Sequence, residues 1–167
     1  MLASRRRMIS HTAGETENGF LVADVWESPD DLRRFYEERL GAALQRAGVP
    51  ETQPQVLPVH NHIHGSGSDG GVIVFIEIDG MTAAQYDGMT ADMEAHAGDG
   101  GAHPAVSHVA VVSDDGLVVV DVWGSEAEFG SFAQSQIAPR AGDSMGQLQP
   151  RFARLHKHVP VKAPAQA

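Results

Sequence analysis

A histidine and an aspartate stand on neighbouring predicted strands near the start of this sequence. His11 and Asp24 lie in two β-rich runs that a short polar turn separates, which predicts a β-hairpin. If the turn from Glu15 to Asn18 sets the register, His11 faces Val22 and Asp24 is its diagonal neighbour on the same face. A carboxylate beside an imidazole orients the ring and raises its basicity, which is what a general base needs.

The same pair returns further along the chain as His108 and Asp121. All four residues are therefore candidates for catalysis. The duplication also favours a second interpretation, because a residue kept in both halves of a chain often serves the shared fold, for instance through a buried hydrogen bond.

Tryptophan and histidine residues elsewhere are candidates for ligand binding. Trp26 and Trp123 end their strands just before a helix cap, where they either line a cavity for a flat aromatic ligand or pack under the helix. His60 and His156 lie in the strands that close each half and are candidate ligand contacts as well. Tyr86 has helical spacing with two methionines and is interpreted as a core or subunit contact.

Several of the strand histidines also have the spacing of metal ligands. Alternation places His60, His62 and His64 on one face of a strand, and His156 and His158 likewise share a face. Imidazoles at i and i+2 can chelate Zn, Cu or Fe. However, no acidic third ligand stands at a recognised spacing, and the chain has no HExxH motif and no cysteine. We therefore expect no metal and no cofactor; if a metal or haem binds, the ligands are His60, His62, His156 and His158.

An internal repeat covers most of the chain. Residues 10–35 align without a gap on residues 107–132, at a constant offset of 97, and ten of the 26 positions are identical. After one indel, the two histidines of 59–63 fall on those of 155–159 at an offset of 96. Shared secondary structure alone does not produce so many identities, so the two halves are predicted to share a fold.

Each half is predicted to contain a hairpin, a helix and a closing strand. In the first half Ser28 caps a helix that runs to about Ala47, and the closing strand covers 56–63. The second half begins earlier, with a continuous apolar strand over 72–78 and a helix over 81–95. Its order is therefore β-α-β-β-α-β, the ferredoxin-like split βαβ motif.

The predicted domain boundaries follow from this repeat. Residues 1–64 form an incomplete ferredoxin-like repeat, 65–71 a flexible Gly/Ser linker, 72–161 a complete repeat, and 162–167 a disordered tail.

These features resemble the dimeric α/β-barrel superfamily, which includes antibiotic-biosynthesis monooxygenase-like proteins. The resemblance rests on Gly19–Ser28 followed by a helix, on the corresponding 116–125, and on the closing residues 58–61. In that superfamily two ferredoxin-like sheets pack face to face, from two chains or from a tandem repeat, and enclose a cavity. The resemblance therefore implies an α+β fold in which tandem ferredoxin-like repeats form a pseudo-dimeric α/β barrel with antiparallel sheets.

The first repeat lacks the opening strand and helix of that fold. An incomplete sheet has an unpaired edge and an uncovered face. We expect that the natural start lies upstream and that 1–7 is a remnant of the preceding loop; the alternative is that a second chain covers the gap in a homodimer.

Composition argues against several classes of partner. The chain has 12 basic and 22 acidic residues, and its net charge of −10 opposes binding to nucleic acid or to an anionic membrane. The basic run Arg5-Arg6-Arg7 is predicted to be a solvated end. No apolar stretch approaches the ~18 residues of a membrane span, no signal peptide is recognisable, and the lack of cysteine fits a reducing compartment, so a soluble cytoplasmic protein is expected.

Three functions compete at this stage, all with a small-molecule partner. The resemblance implies a cofactor-independent monooxygenase-like enzyme acting on an aromatic or polyketide-like molecule, with the His–Asp pairs, the tryptophans and His60 at its sites. A non-catalytic ligand-binding or accessory barrel is the first alternative, and haem or metal binding is the second. A polar cavity with one asymmetric His or Asp favours the enzyme, whereas a filled cavity or an exposed apolar sheet face favours the accessory protein.

Overall fold

Seven strands form one antiparallel sheet in the computed structural model, which describes residues 8–50, 52–97, 102–141 and 148–160. The strands are β1 (Met8–Thr16), β2 (Gly19–Trp26), β3 (Val59–His64), β4 (Val72–Asp79), β5 (Ser107–Val112), β6 (Gly116–Trp123) and β7 (Arg151–Pro160). Their order in the sheet is β2-β1-β7-β4-β6-β5-β3. The basic run at 5–7 and the predicted tail at 162–167 lie outside the described residues.

Helices follow β2, β4 and β6. They are α1 (Pro29–Phe35), a first π-turn (Tyr36–Leu40) and α2 (Gly41–Ala47); α3 (Ala83–His96); and α4 (Glu126–Phe132), a second π-turn (Ala133–Ile137) and α5 (Ala138–Ala141). Side-chain oxygens of Ser28, Thr82 and Ser125 each accept an N–H of the first turn, which starts α1, α3 and α4. At α3, Gln85 completes a capping box with Thr82.

Three pairs of corresponding elements in the two halves have equal lengths. β2 and β6, α1 and α4, and the two π-turns each begin and end 97 residues apart, which is the offset found in the sequence. Gly19 and Gly116, which open β2 and β6, share a φ of 155°. Among the described residues, β4 and α3 have no counterpart before β1.

The core lies on the face of the sheet that α3 and α4 cover. Val74 of β4 is fully buried, and Leu117 and Trp123 of β6 are each 1% exposed. Tyr86 and Phe129 reach this cluster from the two helices. In the first half, by contrast, no residue of α1, the first π-turn or α2 is buried. The tightly packed part of the molecule is therefore the second half.

The Gly/Ser segment predicted as a linker packs against the loop that precedes β5. Its backbone N–H groups donate to carbonyl oxygens of that loop: Gly65 to Val106 at 3.1 Å, Ser66 to His103 at 2.8 Å and Gly67 to Ala105 at 3.2 Å. A Cβ on Gly65 would lie 1.9 Å from the Ala105 oxygen, so this close approach requires glycine.

The paired glycines Gly19 and Gly116 provide a test of the contact between β4 and β6. A Cβ on Gly116 would lie 2.2 Å from the carbonyl oxygen of Ile78, whereas nothing described lies within 4 Å of a Cβ on Gly19. We expect Gly116→Ala to lower the free energy of unfolding by roughly 2–4 kcal/mol and Gly19→Ala by about 1 kcal/mol, because only the first adds a clash to the shared backbone strain. Urea denaturation of both variants measures this difference, and equal losses would contradict it.

Candidate functional site

His108 on β5 and Asp121 on β6 form a buried pair beneath the helices. The two residues are directly opposite in the ladder, and the Nδ1–H of His108 donates to Oδ1 of Asp121 at 2.7 Å. The indole N–H of Trp123 donates to the other carboxylate oxygen at 3.2 Å. Both oxygens of Asp121 therefore accept a hydrogen bond, which offsets the cost of burying the carboxylate.

Tyr86 of α3 extends this pair into a chain of three groups. Because Nδ1 of His108 is a donor, Nε2 of the neutral ring accepts the O–H of Tyr86, at 2.6 Å. The Tyr86 oxygen also accepts the side-chain N–H of Asn61, at 3.0 Å. Burial raises the pKa of Tyr86, so its hydroxyl keeps its proton at neutral pH. The arrangement can move a proton from Tyr86 to an imidazole that a carboxylate stabilises.

The pair of the first half has the same geometry in a more open environment. The Nδ1–H of His11 donates to Asp24 at 2.6 Å, and the two side chains are 30% and 21% exposed, against 9% and 6% for His108 and Asp121. No described residue makes a hydrogen bond to Nε2 of His11. The structure thus makes the two pairs unequal.

The predicted register of the first hairpin is wrong by two residues. His11 lies directly opposite Asp24, not opposite Val22. The reason is that Thr16 pairs with Gly19, so the turn has only two residues and the strands pair further toward it than expected.

Two cavities lie where the sheet meets α3 and α4. The cavity that reaches the buried pair has a volume of about 710 Å³ and is lined by Tyr86, His108 and Asp121 together with apolar side chains such as Phe129. A second cavity of about 900 Å³ is lined by Trp123 and by acidic residues, and it does not include the pair. His103 lines both cavities, so the two are adjacent.

His103 lies in the loop before β5 and stacks on His108, with ring centroids 4.8 Å apart. The backbone N–H of Ala105 donates to its Nδ1 at 3.2 Å, so Nε2 carries the proton of the neutral ring. Burial, with a smaller contribution from His108, lowers the pKa of His103 to about 4. Sequence reasoning missed this residue, because a single loop histidine has no spacing pattern; its place shortly before the strand of His108 was the one available signal.

Arg140 is the one arginine or lysine among the described residues that line these cavities. Its Nε–H donates to Asp92 of α3 at 2.6 Å, and its Nη1–H donates to the carbonyl oxygen of Gln136 at 2.6 Å. Gln136 belongs to the second π-turn. These contacts hold a cationic group in the wall of the 710 Å³ cavity, a feature that sequence spacing did not indicate.

A β-bulge separates the histidines of β3. The register shifts between Val59 and Asn61, and His60 turns toward α3, where its Nε2–H donates to Asp87 at 2.6 Å. The rings of His62 and His64 instead lie 4.8 Å from each other. The expectation that all three share a face is wrong, because the bulge adds one residue and interrupts the alternation.

The same irregularity occurs at the corresponding place in β7. Ala13 pairs with Lys157 and Gly14 with Leu155, which leaves His156 between them without a partner in the ladder. His156 is exposed beside Phe20, whereas Nδ1 of His158 lies 2.9 Å from Oγ1 of Thr12. Burial lowers the pKa values of His62 and His158. Within the described ranges, no three His, Cys, Asp or Glu side chains are grouped closely enough to hold a metal ion.

Each tryptophan lies on a phenylalanine of the helix that follows its strand. Trp26 lies on Phe35 and Trp123 lies on Phe132, each with ring centroids 5.2 Å apart. Trp123 also lines the 900 Å³ cavity, whereas neither cavity described above includes Trp26. Trp123 therefore belongs to the core and also lines a cavity, whereas Trp26 is only partly buried.

Solved structures with a similar fold include a candidate monooxygenase from Fusobacterium nucleatum, with a TM-score of 0.60 and 7% identity over 89% of this chain and 75% of that one. A candidate monooxygenase from Lactobacillus acidophilus has a TM-score of 0.58 and 9% identity over 92% of this chain and 79% of that one. This chain shares its fold with both of these structures. At these identities the likeness extends to the fold alone.

No protein-family model and no curated protein matches this sequence. Among the described residues, no helix is long and apolar enough to cross a membrane.

The Asp121 carboxylate is expected to matter more for stability than its counterpart Asp24. The Asp121 carboxylate accepts hydrogen bonds from two buried donors, His108 and Trp123, whereas the amide of Asp121→Asn can accept only at its one oxygen. We therefore expect this substitution to lower the free energy of unfolding by roughly 2–4 kcal/mol. Asp24→Asn is the matched control and should cost about 1 kcal/mol or less, because water reaches that pair. Urea denaturation at pH 7 compares them; similar losses would show that burial does not distinguish the two pairs.

The neutral state of His103 predicts a specific pH dependence of stability. Its ordinary pKa is 6.5 and its pKa in the folded protein is about 4, so the folded chain binds this proton less readily than the unfolded chain. The stability that depends on neutral His103 is thus complete above pH 6.5 and is lost as the pH falls toward 4.

His103→Asn keeps an acceptor for the Ala105 N–H but removes the titration. Denaturation curves between pH 7 and pH 4 should show a shallower loss of stability in this variant, with a residual slope from His62 and His158. An unchanged slope would mean that folding does not change the pKa of His103.

Proposed function

We propose that this protein is a cofactor-independent, monooxygenase-like enzyme whose site is the 710 Å³ cavity at Tyr86, His108 and Asp121. The observation that carries the proposal is the asymmetry between the two His–Asp pairs. One pair is buried, joined to a tyrosine and faces a cavity, while the other is more open and has no described partner for its imidazole Nε2.

The proposal includes a more detailed view of the fold. We infer that the chain consists of tandem ferredoxin-like repeats, the first, over 1–64, without its opening strand and helix, and the second complete over 72–161. Two observations support this: the sheet order β7-β4-β6-β5 in the second half, and the elements placed 97 residues apart in the two halves. A (pseudo-)dimeric barrel then follows from packing two such sheets.

The chemistry begins with removal of a proton from a phenolic substrate. A substrate hydroxyl next to Tyr86 gives its proton to the tyrosine oxygen as the Tyr86 proton passes to Nε2 of His108. The carboxylate of Asp121 stabilises the imidazolium that forms. The substrate is left as a phenolate, whose ring carbons are electron-rich.

Molecular oxygen is the second reactant. A C–H carbon of the phenolate ring reacts with O₂; one oxygen atom becomes a carbonyl on that carbon and the other leaves as water with the two hydrogens lost from the substrate. A phenol and O₂ thus give a quinone and water, and the substrate itself supplies all four electrons. Arg140 lines the same cavity, and we assign to it the stabilisation of the negative charge that develops during this step.

The shape and lining of the cavity favour a flat aromatic or polyketide-like substrate. Its volume lies in the range of small-molecule sites, and apolar side chains such as Ile76, Val119 and Phe129 surround its few polar groups. The structural neighbours named as candidate monooxygenases are in keeping with this class of reaction.

Replacing the Tyr86 hydroxyl tests the relay. With bi- and tricyclic phenols as substrates in air, and no added flavin or metal, the wild type should consume oxygen at an electrode. We expect Tyr86→Phe to lower kcat by roughly 100- to 1,000-fold with little change in KM, because it removes the proton path and leaves the ring in place.

Tyr36→Phe removes a hydroxyl from a residue that lines neither cavity and should retain wild-type kcat. Full activity of Tyr86→Phe would reject the relay, and the absence of oxygen consumption with every phenol would reject the enzyme.

A non-catalytic ligand-binding protein is the second candidate, favoured by the exposed apolar face of β2. Phe20 and Val22 are 62% and 55% exposed. If this candidate is correct, calorimetry should detect aromatic ligands that bind to the protein without turnover. The Tyr86→Phe variant should bind the same ligands equally well.

A further inference from the structure

We propose that the 900 Å³ cavity is the second compartment of the site at Tyr86, and that the ligand of the whole site is an elongated phenol whose far end carries a protonated amine. This inference rests on the function proposed above and names the class of substrate. The 710 Å³ cavity is the inner compartment, and the 900 Å³ cavity is the outer compartment.

The two compartments share part of their walls. Five residues line both of them: Ile63, Thr90, Met93, His103 and Phe132. These residues come from β3, α3, the loop before β5 and α4, so the compartments adjoin along several elements and not at a single side chain. Together they form one groove, and a ligand in the inner compartment can extend into the outer one.

The groove follows α3 toward the end of that helix. Tyr86, whose hydroxyl belongs to the relay, lines only the inner compartment, whereas Glu94 and Ala97 line only the outer one. At a rise of about 1.5 Å per residue, Glu94 lies about 12 Å along the helix axis from Tyr86. The substrate therefore needs a phenol at one end and a second binding group at about this distance from it.

The hydroxyl groups of the outer compartment offer acceptor oxygens to a ligand. Thr90, Ser131 and Ser135 each donate their own hydrogen to a helix carbonyl oxygen three or four residues earlier, at distances of 2.9, 3.0 and 3.4 Å. A hydroxyl has one hydrogen to donate and two lone pairs that accept. A ligand that binds these oxygens must therefore supply the hydrogens.

Two carboxylates line the same compartment without a cation. Glu94 lies on α3 and Glu128 on α4, and neither forms an ion pair with a described residue. The inner compartment differs in this respect, because its Asp92 is paired with Arg140. No arginine or lysine is among the described residues that line the outer compartment. Its wall thus combines negative charge with further oxygens that only accept.

A wall of this kind favours a positively charged donor. A protonated amine has three N–H donors and no acceptor, so it can satisfy several of these oxygens at once. A carboxylate in the same place would meet like charge and would bring no hydrogen. A hydroxyl group lies between the two, because it supplies one hydrogen and no charge. An amine-bearing phenol therefore fits the groove, and an acidic phenol does not.

Three matched phenols test this preference. Each is a tricyclic phenol with the same three-carbon arm on the ring farthest from the hydroxyl, and the arm ends in an ammonium, a hydroxyl or a carboxylate group. Calorimetry of the wild type at pH 7 without oxygen measures binding in the absence of turnover. The ammonium compound should bind at least about fivefold more tightly than the hydroxyl compound, and the carboxylate compound most weakly, because two unpaired carboxylates act together. The preference should shrink as salt is added, since both carboxylates are exposed.

Replacing the two carboxylates should remove the preference. In the double variant Glu94→Gln, Glu128→Gln, the ammonium and hydroxyl compounds should bind within about twofold of each other. Glu126→Gln is the matched control, because Glu126 is an exposed carboxylate of the same first turn of α4 and lines neither compartment. This control should keep the full preference.

Competition tests whether the two compartments are one site. The same tricyclic phenol without an arm should compete with the ammonium compound, because both place their ring in the inner compartment. Simultaneous binding of the two compounds would overturn the shared groove.

Two further results would overturn the proposal. One is equal or tighter binding of the hydroxyl or carboxylate compound by the wild type, and the other is a preference for the ammonium compound that survives in the double variant. These affinities are measured without oxygen and do not depend on the reaction. Oxygen consumption with phenols that lack the arm tests the enzyme separately, so failure of this inference and failure of the proposed function are distinguishable.

Discussion

Strand β4 is the constraint on which the organisation of this molecule depends. It pairs with β6 on one side and β7 on the other, and its buried side chains Val74 and Ile76 form the floor on which α3 and α4 pack. Because β7 in turn pairs with β1, β4 also links the second half of the sheet to the hairpin of the first. Among the described residues, the first half has no strand in the equivalent place, and β2 and β3 are the two ends of the sheet.

The buried His–Asp pair depends on this packing. The same two residue types, in the same register and at nearly the same distance, occur in both halves, but only the second pair lies under a helix that brings a tyrosine. Water exclusion strengthens the hydrogen bonds of a buried network and makes each missing partner more costly. Chemistry that needs a directed proton path is therefore suited to the second half, where Tyr86, His108 and Asp121 are all partnered.

Much of the fold could be predicted from local patterns. The strands of the second half and the helix cap at Ser28 depend on neighbouring residues, so hydrophobic period and capping chemistry indicated them. The prediction that the histidines of β3 lie on one face of the strand was wrong, and so was the same prediction for β7. A bulge has no strong sequence pattern, and a single extra residue reverses the alternation of side chains. The predicted register of the β1–β2 hairpin was wrong for a related reason, since the register depends on whether two or four residues make the turn.

The sequence by itself determined which residues are duplicated: a His–Asp pair, a tryptophan and a closing-strand histidine in each half. It also determined the fold class, because period and capping are local properties. Only the tertiary structure decided that the two copies differ. His103, Tyr86 and Arg140 come from a loop and two helices that lie far apart in the chain, and their convergence on one cavity follows from the packing of α3 and α4 on β4. Burial, which separates the enclosed His–Asp pair from the open one, is a property of the packed molecule and has no counterpart in residue spacing.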